Sequence, residues 1–460
     1  MYSMKNKLLP FVFLFLATFV SGQKITFNIK YSEQLAVFVF MQNLSENYPE
    51  NVFKTEFEKS KYNNETYKNL ISKFDKLALD YSYQFEEFPY ASKTPMQTRD
   101  ILKKNLIETD NLNDFKLRSV GIVPNNVLND LTLYISKFTP IYRELIYQPN
   151  KEKFEKQLKE ITDYSQQHQI QSYFETGLTF YNSSWDQSIP FEIAFYPLPN
   201  SDYFTAQAFY NNFISAIQTN LRDYKDLFSV MLHETYHIIY NEQSLEVKTQ
   251  IDESFKKSRS KYSNYAYLLL NEVLATALGN GYVYENLNGK PETNSWYFHQ
   301  YIDLMARKIY PLVKEYIAEK KSIDKNFVDQ YINLYEINFP NWINEPQNIM
   351  TYRYVISENE QDFSTLRKKF RYRSIEENDK EISVSSLIKM KKMPLTKVII
   401  VSKNNQEKLS TIKKEFSELK NWKSTPDKEF VYKILLEDKS QLIIINQKNS
   451  ALEKLLESLK

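Results

Sequence analysis

"VMLHETYHIIY", residues 230–240, holds two of the four histidines of this 460-residue chain, four positions apart, with Glu234 directly after the first. On an α-helix, positions i and i+4 share a face with Cβ atoms ~6 Å apart, so His233 and His237 can each turn one imidazole nitrogen toward a common point. Glu234 is rotated by about 100° from His233, out of the ligand direction but beside it, where a carboxylate can hold a water. Apolar residues flank the motif on both sides. The bland alternative, two core histidines on a half-buried helix, leaves an ionisable glutamate there without a purpose.

A catalytic metal takes a third protein ligand and keeps one position for water. The chain has no cysteine, so any ion is held by histidine, aspartate or glutamate, and His168 and His299 are the histidines that remain. Glu272 in "LLLNEVLATALGNG", residues 268–281, is the strongest choice, ahead of those histidines and other carboxylates. Leu268, Leu269, Leu270, Val273 and Leu274 surround it with apolar chain, where an unpaired carboxylate is costly or stays protonated unless a cation accompanies it. The spacing is helical, and the helix is expected to stop at Gly279-Asn280-Gly281, a C-terminal signal in a chain with only six glycines.

His233-Glu234-Thr235-Tyr236-His237, followed after 33 residues by Asn271-Glu272, resembles the gluzincin group of zinc metallopeptidases, the thermolysin-like arrangement of an HExxH helix and a second helix with an NE-type glutamate. The likeness runs from about Phe191 to Tyr282. It implies a zincin-like core, one zinc per chain held by His233, His237 and Glu272, and Glu234 as the base that takes a proton from water and passes it to the leaving amine. Many members carry an aspartate four residues after the ligand glutamate, where this chain has Thr276. The other nitrogen of His233 therefore needs a different partner, such as a backbone carbonyl or Asp226. The oxyanion donor that the group usually adds is unassigned among Tyr282, Tyr284, His299, Tyr352 and Arg353, and His299, lying among aromatic residues, reads first as a core histidine. By the same likeness "PFEIAFYP" (190–197) is either a substrate-pairing edge or an interior strand of the core sheet.

Around this centre the sequence predicts a mainly α protein with a small mixed sheet, of α+β class, and a small C-terminal α/β domain. A chain that is 42% hydrophobic and 25% charged has globular composition, and 35 tyrosines and 31 phenylalanines against so few glycines point to long helices packed through aromatic rings. Residues 1–22, with Lys5 and Lys7, the apolar run Leu8–Val20 and then Ser21-Gly22, read as a cleaved export signal; the alternative, an uncleaved anchor, needs a longer apolar run. Losing that segment removes two lysines and no acid, so a net charge of +2 becomes zero, which argues against nucleic acid as a partner.

The domains expected are a helix-rich catalytic unit over 23–385, divided into an N-terminal helical part (23–180) and a motif-bearing part (181–385), and an α/β domain over 386–460. "KITFNIKY" and "PFEIAFYPL" read as strands, and the charged run "RKKFRYRSIEENDKE" as a linker, with contact to an anionic surface as its alternative. The last five elements read as strand, helix, strand, strand, helix, with Ser450 and Glu453 as a capping box for the final helix. The expectation is an exported, periplasmic or extracellular zinc peptidase acting on peptide or protein chains, without a membrane span after signal cleavage. Its rivals are a catalytically inactive binding protein of the cell envelope on the same scaffold, with the α/β domain as recognition unit, and a helical protein with an accidental motif.

Overall fold

The computed structural model describes residues 25–201, 203–372 and 375–459; the expected export signal, 1–22, lies outside them. The described chain is mainly helical with small mixed sheets, the α+β class expected from the sequence. Among the described residues no helix is long and apolar enough to cross a membrane.

The first sheet is built from β1 (Phe27–Tyr31), β2 (Phe191–Leu198), β3 (Gln207–Phe209) and β4 (Asn212–Gln218), in the order β1-β2-β4-β3. β1, β2 and β4 run parallel, in register from Phe27 opposite Phe191 and from Glu192 opposite Asn212, while β3 is antiparallel to β4. Every residue of β2 is buried, because both faces of the sheet are covered. Phe191, Ile193 and Phe195 face the core that contains the motif helix, and Ala194, Tyr196 and Leu198 face the helices of the N-terminal part. Of the two readings of "PFEIAFYP", the interior strand is therefore the correct one: β2 has a neighbour on each side, and the antiparallel edge belongs to β3.

The N-terminal helices pack round one helix, Glu33–Leu44, in which Leu35 to Met41 are buried without interruption. A helix that is apolar on every side is stable only when others enclose it, and here the helix Asn125–Tyr142 is the main partner. Ser32 caps its start, accepting from the Leu35 amide at 3.4 Å while donating to the Leu106 carbonyl at 2.9 Å.

The motif helix spans Tyr224–Asn241 and is capped by Asp223, whose carboxylate accepts from the Lys225 amide. The glutamate helix, Ser263–Thr276, does not stop at Gly279-Asn280-Gly281 as expected. It continues through a π-helical turn, Ala277–Val283, into a short α-helix, Tyr284–Asn288, and ends at Gly289 in left-handed conformation (φ 76°). The two internal glycines serve packing, since a Cβ at Gly281 would lie 2.8 Å from the Trp296 ring and one at Gly279 would meet the backbone of His233.

The second sheet comprises β5 (Tyr352–Ser357), β6 (Ile375–Asp379), β7 (Thr396–Val401), β8 (Phe430–Leu435) and β9 (Gln441–Asn446), in the order β8-β9-β7-β5-β6, parallel except for β8. It begins at Tyr352, ahead of the boundary expected at 386, and the charged run read as a linker supplies β6. There Glu376 pairs with the fully buried Arg353 and with Arg367, an arrangement that a local reading of charge does not reveal. The capping box expected at Ser450 and Glu453 is not formed: Ala451 is the N-cap, Ser450 donates to Glu429 at 2.6 Å, and Glu453 accepts from Thr365 at 3.3 Å. The glutamate helix is bolted to this sheet by the Asn264 amide on the Pro394 carbonyl (2.9 Å) and the Tyr265 hydroxyl against Thr396 (2.9 Å).

Candidate functional site

Two helical turns and one later helix meet at a single point. His233 and His237 turn their Nε2 atoms toward each other, 3.2 Å apart, and Glu272 Oε2 lies 3.8 Å from the first and 3.5 Å from the second. The three ligand atoms are within 4.8 Å of one another, and among the described residues this is the group of histidine and carboxylate donors with metal-holding geometry. Glu272 Oε2 is buried and has no hydrogen-bond donor. A buried carboxylate oxygen facing two imidazole nitrogens lacks only a cation, so the donor set fits a metal ion, and two nitrogens with one oxygen suit a borderline metal such as zinc.

The electrostatics follow from burial and proximity. Burial alone would raise the Glu272 carboxyl, but His237 and then His233 reverse this and hold it at about 2. At His237 burial works downward, and the Glu272 charge overcomes it to bring the ring to about 9. His233 is pushed down to about 4, first by burial and then by the neighbouring His237, so it keeps a free lone pair. Glu234 is half-buried; burial raises its carboxyl above the ordinary range, the Glu272 charge adds to this and His237 opposes it. The net effect of this environment is to favour the protonated form of Glu234 relative to an exposed glutamate.

The supporting residues were only partly visible in the sequence. Asn271 Oδ1 is 3.0 Å from His237 Nδ1; with the amide oxygen accepting, a proton is held on Nδ1, so the proton a metal would displace is the one on Nε2, at the shared point. His233 Nδ1 is buried without a hydrogen-bond partner, and the nearby Asn280 side chain and Ala275 backbone only partly offset the burial that lowers the ring's basicity. Asp226, expected as a possible partner, instead interacts with Asp223, Lys225 and Glu292, and the Thr276 hydroxyl is buried without a partner. Tyr297 carried no sequence signal: its ring stacks on His233 (centroids 5.8 Å, 22° between planes), and its hydroxyl is near enough to Glu272 to help hold that carboxyl down.

The other candidates are placed elsewhere or are already committed. His168 stacks on Tyr164 at 4.1 Å, away from the ligand group. His299 packs against Tyr372 at 4.1 Å and Tyr301 at 5.5 Å, with Nδ1 buried and unpartnered, and burial pushes it to about 4. Arg353 is spent on Glu376, Tyr284 on Glu292, and Tyr282 packs edge-on to Tyr173. Tyr352 lines a cleft of about 340 Å³ that has Asn271 and Glu272 in one wall. A larger hollow, about 450 Å³, lies among the N-terminal helices at Glu50, Lys54 and Lys68 and has no ligand-type cluster. No family model matches this chain, nor does any curated protein or solved structure.

Proposed function

We propose that this chain is a zinc-dependent peptidase with a gluzincin-type, zincin-like core, exported from the cell and acting on peptide or protein chains. The observation that carries the proposal is the convergence of Glu272 Oε2, which has no donor, with the Nε2 atoms of His233 and His237. These three residues would hold one zinc per chain. When bound, the ion supplies a Lewis acid for a peptide carbonyl and lowers the pKa of a water.

The chain's own residues do the rest. Glu234 takes a proton at its carboxylate and returns it to the leaving amine nitrogen, a task suited to a carboxyl raised by burial. Asn271 orients the His237 ring through Nδ1, and Tyr297 packs on His233 beside Glu272. The outer edge of β3 has no strand partner among the described residues and the strand packs on the motif helix, so an extended peptide can add there through main-chain hydrogen bonds.

A second reading, a metal-holding binding protein without hydrolysis, is favoured by the commitment of the buried Arg353 to Glu376, which leaves the oxyanion donor unfilled by it. One experiment separates the two. Purified protein is expected to carry one zinc per chain and to cut unfolded protein in a chelator-sensitive way, with Glu234→Gln keeping the zinc and losing about 10²–10⁴-fold in rate. Retained zinc with no cleavage of a broad peptide library favours the binding protein.

A further inference from the structure

The cleft beside Glu272 is built by three distant parts of the chain. The motif and glutamate helices contribute Tyr240, Tyr267 and Leu268, the second sheet and the turn before β7 contribute Tyr352, Ile375 and Pro394, and the segment Tyr90–Pro95 supplies the rest of the lining. We propose that the α/β unit containing the second sheet is the substrate-selecting wall of the site, and that this cleft takes one bulky apolar side chain, aromatic or branched aliphatic, adjoining the bond that is cut. The proposal rests on the peptidase reading.

Size and chemistry both support it. A volume of about 340 Å³ lies at the small end of ligand pockets, enough for a large side chain and too small for a folded segment. The lining is mainly rings and aliphatic carbon. Its one carboxylate, Glu272, is turned to the histidines, so a basic side chain finds no counter-charge. Its one ammonium, on Lys93, is taken up by Glu242 at 3.2 Å and the Asn241 carbonyl at 3.1 Å, and lies over the Phe85 and Phe88 rings, so an acidic side chain finds none either.

The wall is also cross-linked to its surroundings. Tyr352 and Ile375 are register partners at the start of β5 and β6, and Pro394 is tied to the glutamate helix by Asn264. The segment Tyr90–Pro95 is fastened at two points: the Tyr90 hydroxyl donates to Glu377 in β6 at 3.3 Å, and the Lys248 ammonium donates to the Ser92 carbonyl. A pocket assembled from elements tied together in this way discriminates by shape, and one methylene in such a pocket is worth about 10–200-fold in kcat/KM.

The test profiles cleavage of a mixed peptide library by zinc-loaded full-length protein, comparing wild type with Leu268→Trp, which fills the cleft, and Ile375→Ala, which enlarges it. Zinc content and melting temperature are measured for each. Wild type is expected to enrich Phe, Tyr, Leu and Met at one position beside the cut. Leu268→Trp should shift that position toward Ala and Ser by about tenfold or more, mainly in KM, and Ile375→Ala should admit Trp. Should one variant fail to fold, the other decides. Cleavage with an unchanged preference profile in a zinc-loaded variant overturns the pocket proposal while leaving the peptidase intact, whereas no cleavage by zinc-loaded wild type overturns both.

Discussion

Gly279 is pressed against His233: a Cβ added at the glycine would lie 2.6 Å from the histidine Cβ and 2.7 Å from its backbone nitrogen. The π-helical turn that carries Gly279 therefore fixes how closely the glutamate helix approaches the motif helix, and the Ser229 hydroxyl locks the contact by donating to the Gly279 carbonyl at 3.0 Å. Backbone atoms cannot rotate out of the way of a methyl group as a side chain could. Gly279→Ala is expected to destabilise the protein by about 3 kcal/mol and to weaken zinc binding with it, checked by denaturant unfolding and metal titration. Gly121, where an added Cβ meets nothing within 4 Å but φ is +86°, provides the control: its substitution by alanine strains the backbone and leaves zinc affinity unchanged.

Asn271 holds the ring proton of His237 on Nδ1. Asn271→Ala removes that constraint without touching a ligand atom. Zinc affinity is expected to fall by about 10–100-fold, with the fold kept, as measured by competition with a chelating dye. An unchanged affinity would mean that the ring orientation is set by packing alone.

Removing the metal should cost stability, because the buried Glu272 carboxylate then loses the cation that offsets its burial. With zinc at about a thousandfold its Kd, the folded state gains about 4 kcal/mol, so a chelator is expected to lower the melting temperature measurably. Glu272→Ala should bind zinc much more weakly and show little further change with chelator. A melting curve of wild type that ignores the chelator would count against the site.

Lys248 gives a pH dependence separate from the metal ligands. Its ammonium is buried, donates to the Ser92 carbonyl and lies 4.1 Å over the Tyr240 ring. Burial first, and the Lys93 charge second, bring it down to about 7 from its ordinary value of 10.5, with Glu242 opposing. Between those two values the unfolded chain holds the proton and the folded chain does not, so this group's contribution makes stability rise with pH from about 7 toward 10.5 and fall on acidification. Urea unfolding at pH 7, 8, 9 and 10 should show that rise in wild type and a flatter profile in Lys248→Met. Equal profiles would show that Lys248 stays charged in the folded state.

The HExxH spacing and the one glutamate set in an apolar helix were enough to name the three residues that the fold brings together, because i,i+4 geometry is local and a buried carboxylate announces its need for a cation. The strand, helix, strand, strand, helix order of the C-terminal region was legible for the same reason: hydrophobic period and turn residues act over short stretches. Three features were decided only by tertiary structure. The glycines at 279 and 281 look like a helix end in one dimension, yet they are gaps left for His233 and for Trp296. "PFEIAFYP" could be edge or interior until its two neighbours, one of them 164 residues earlier in the chain, were paired with it. Tyr297 and the wall of the cleft come from segments far from either motif, and no local spacing encodes which rings will meet across a core. Local rules fix which side chains share a helical face; only packing between remote elements decides what that face is set against.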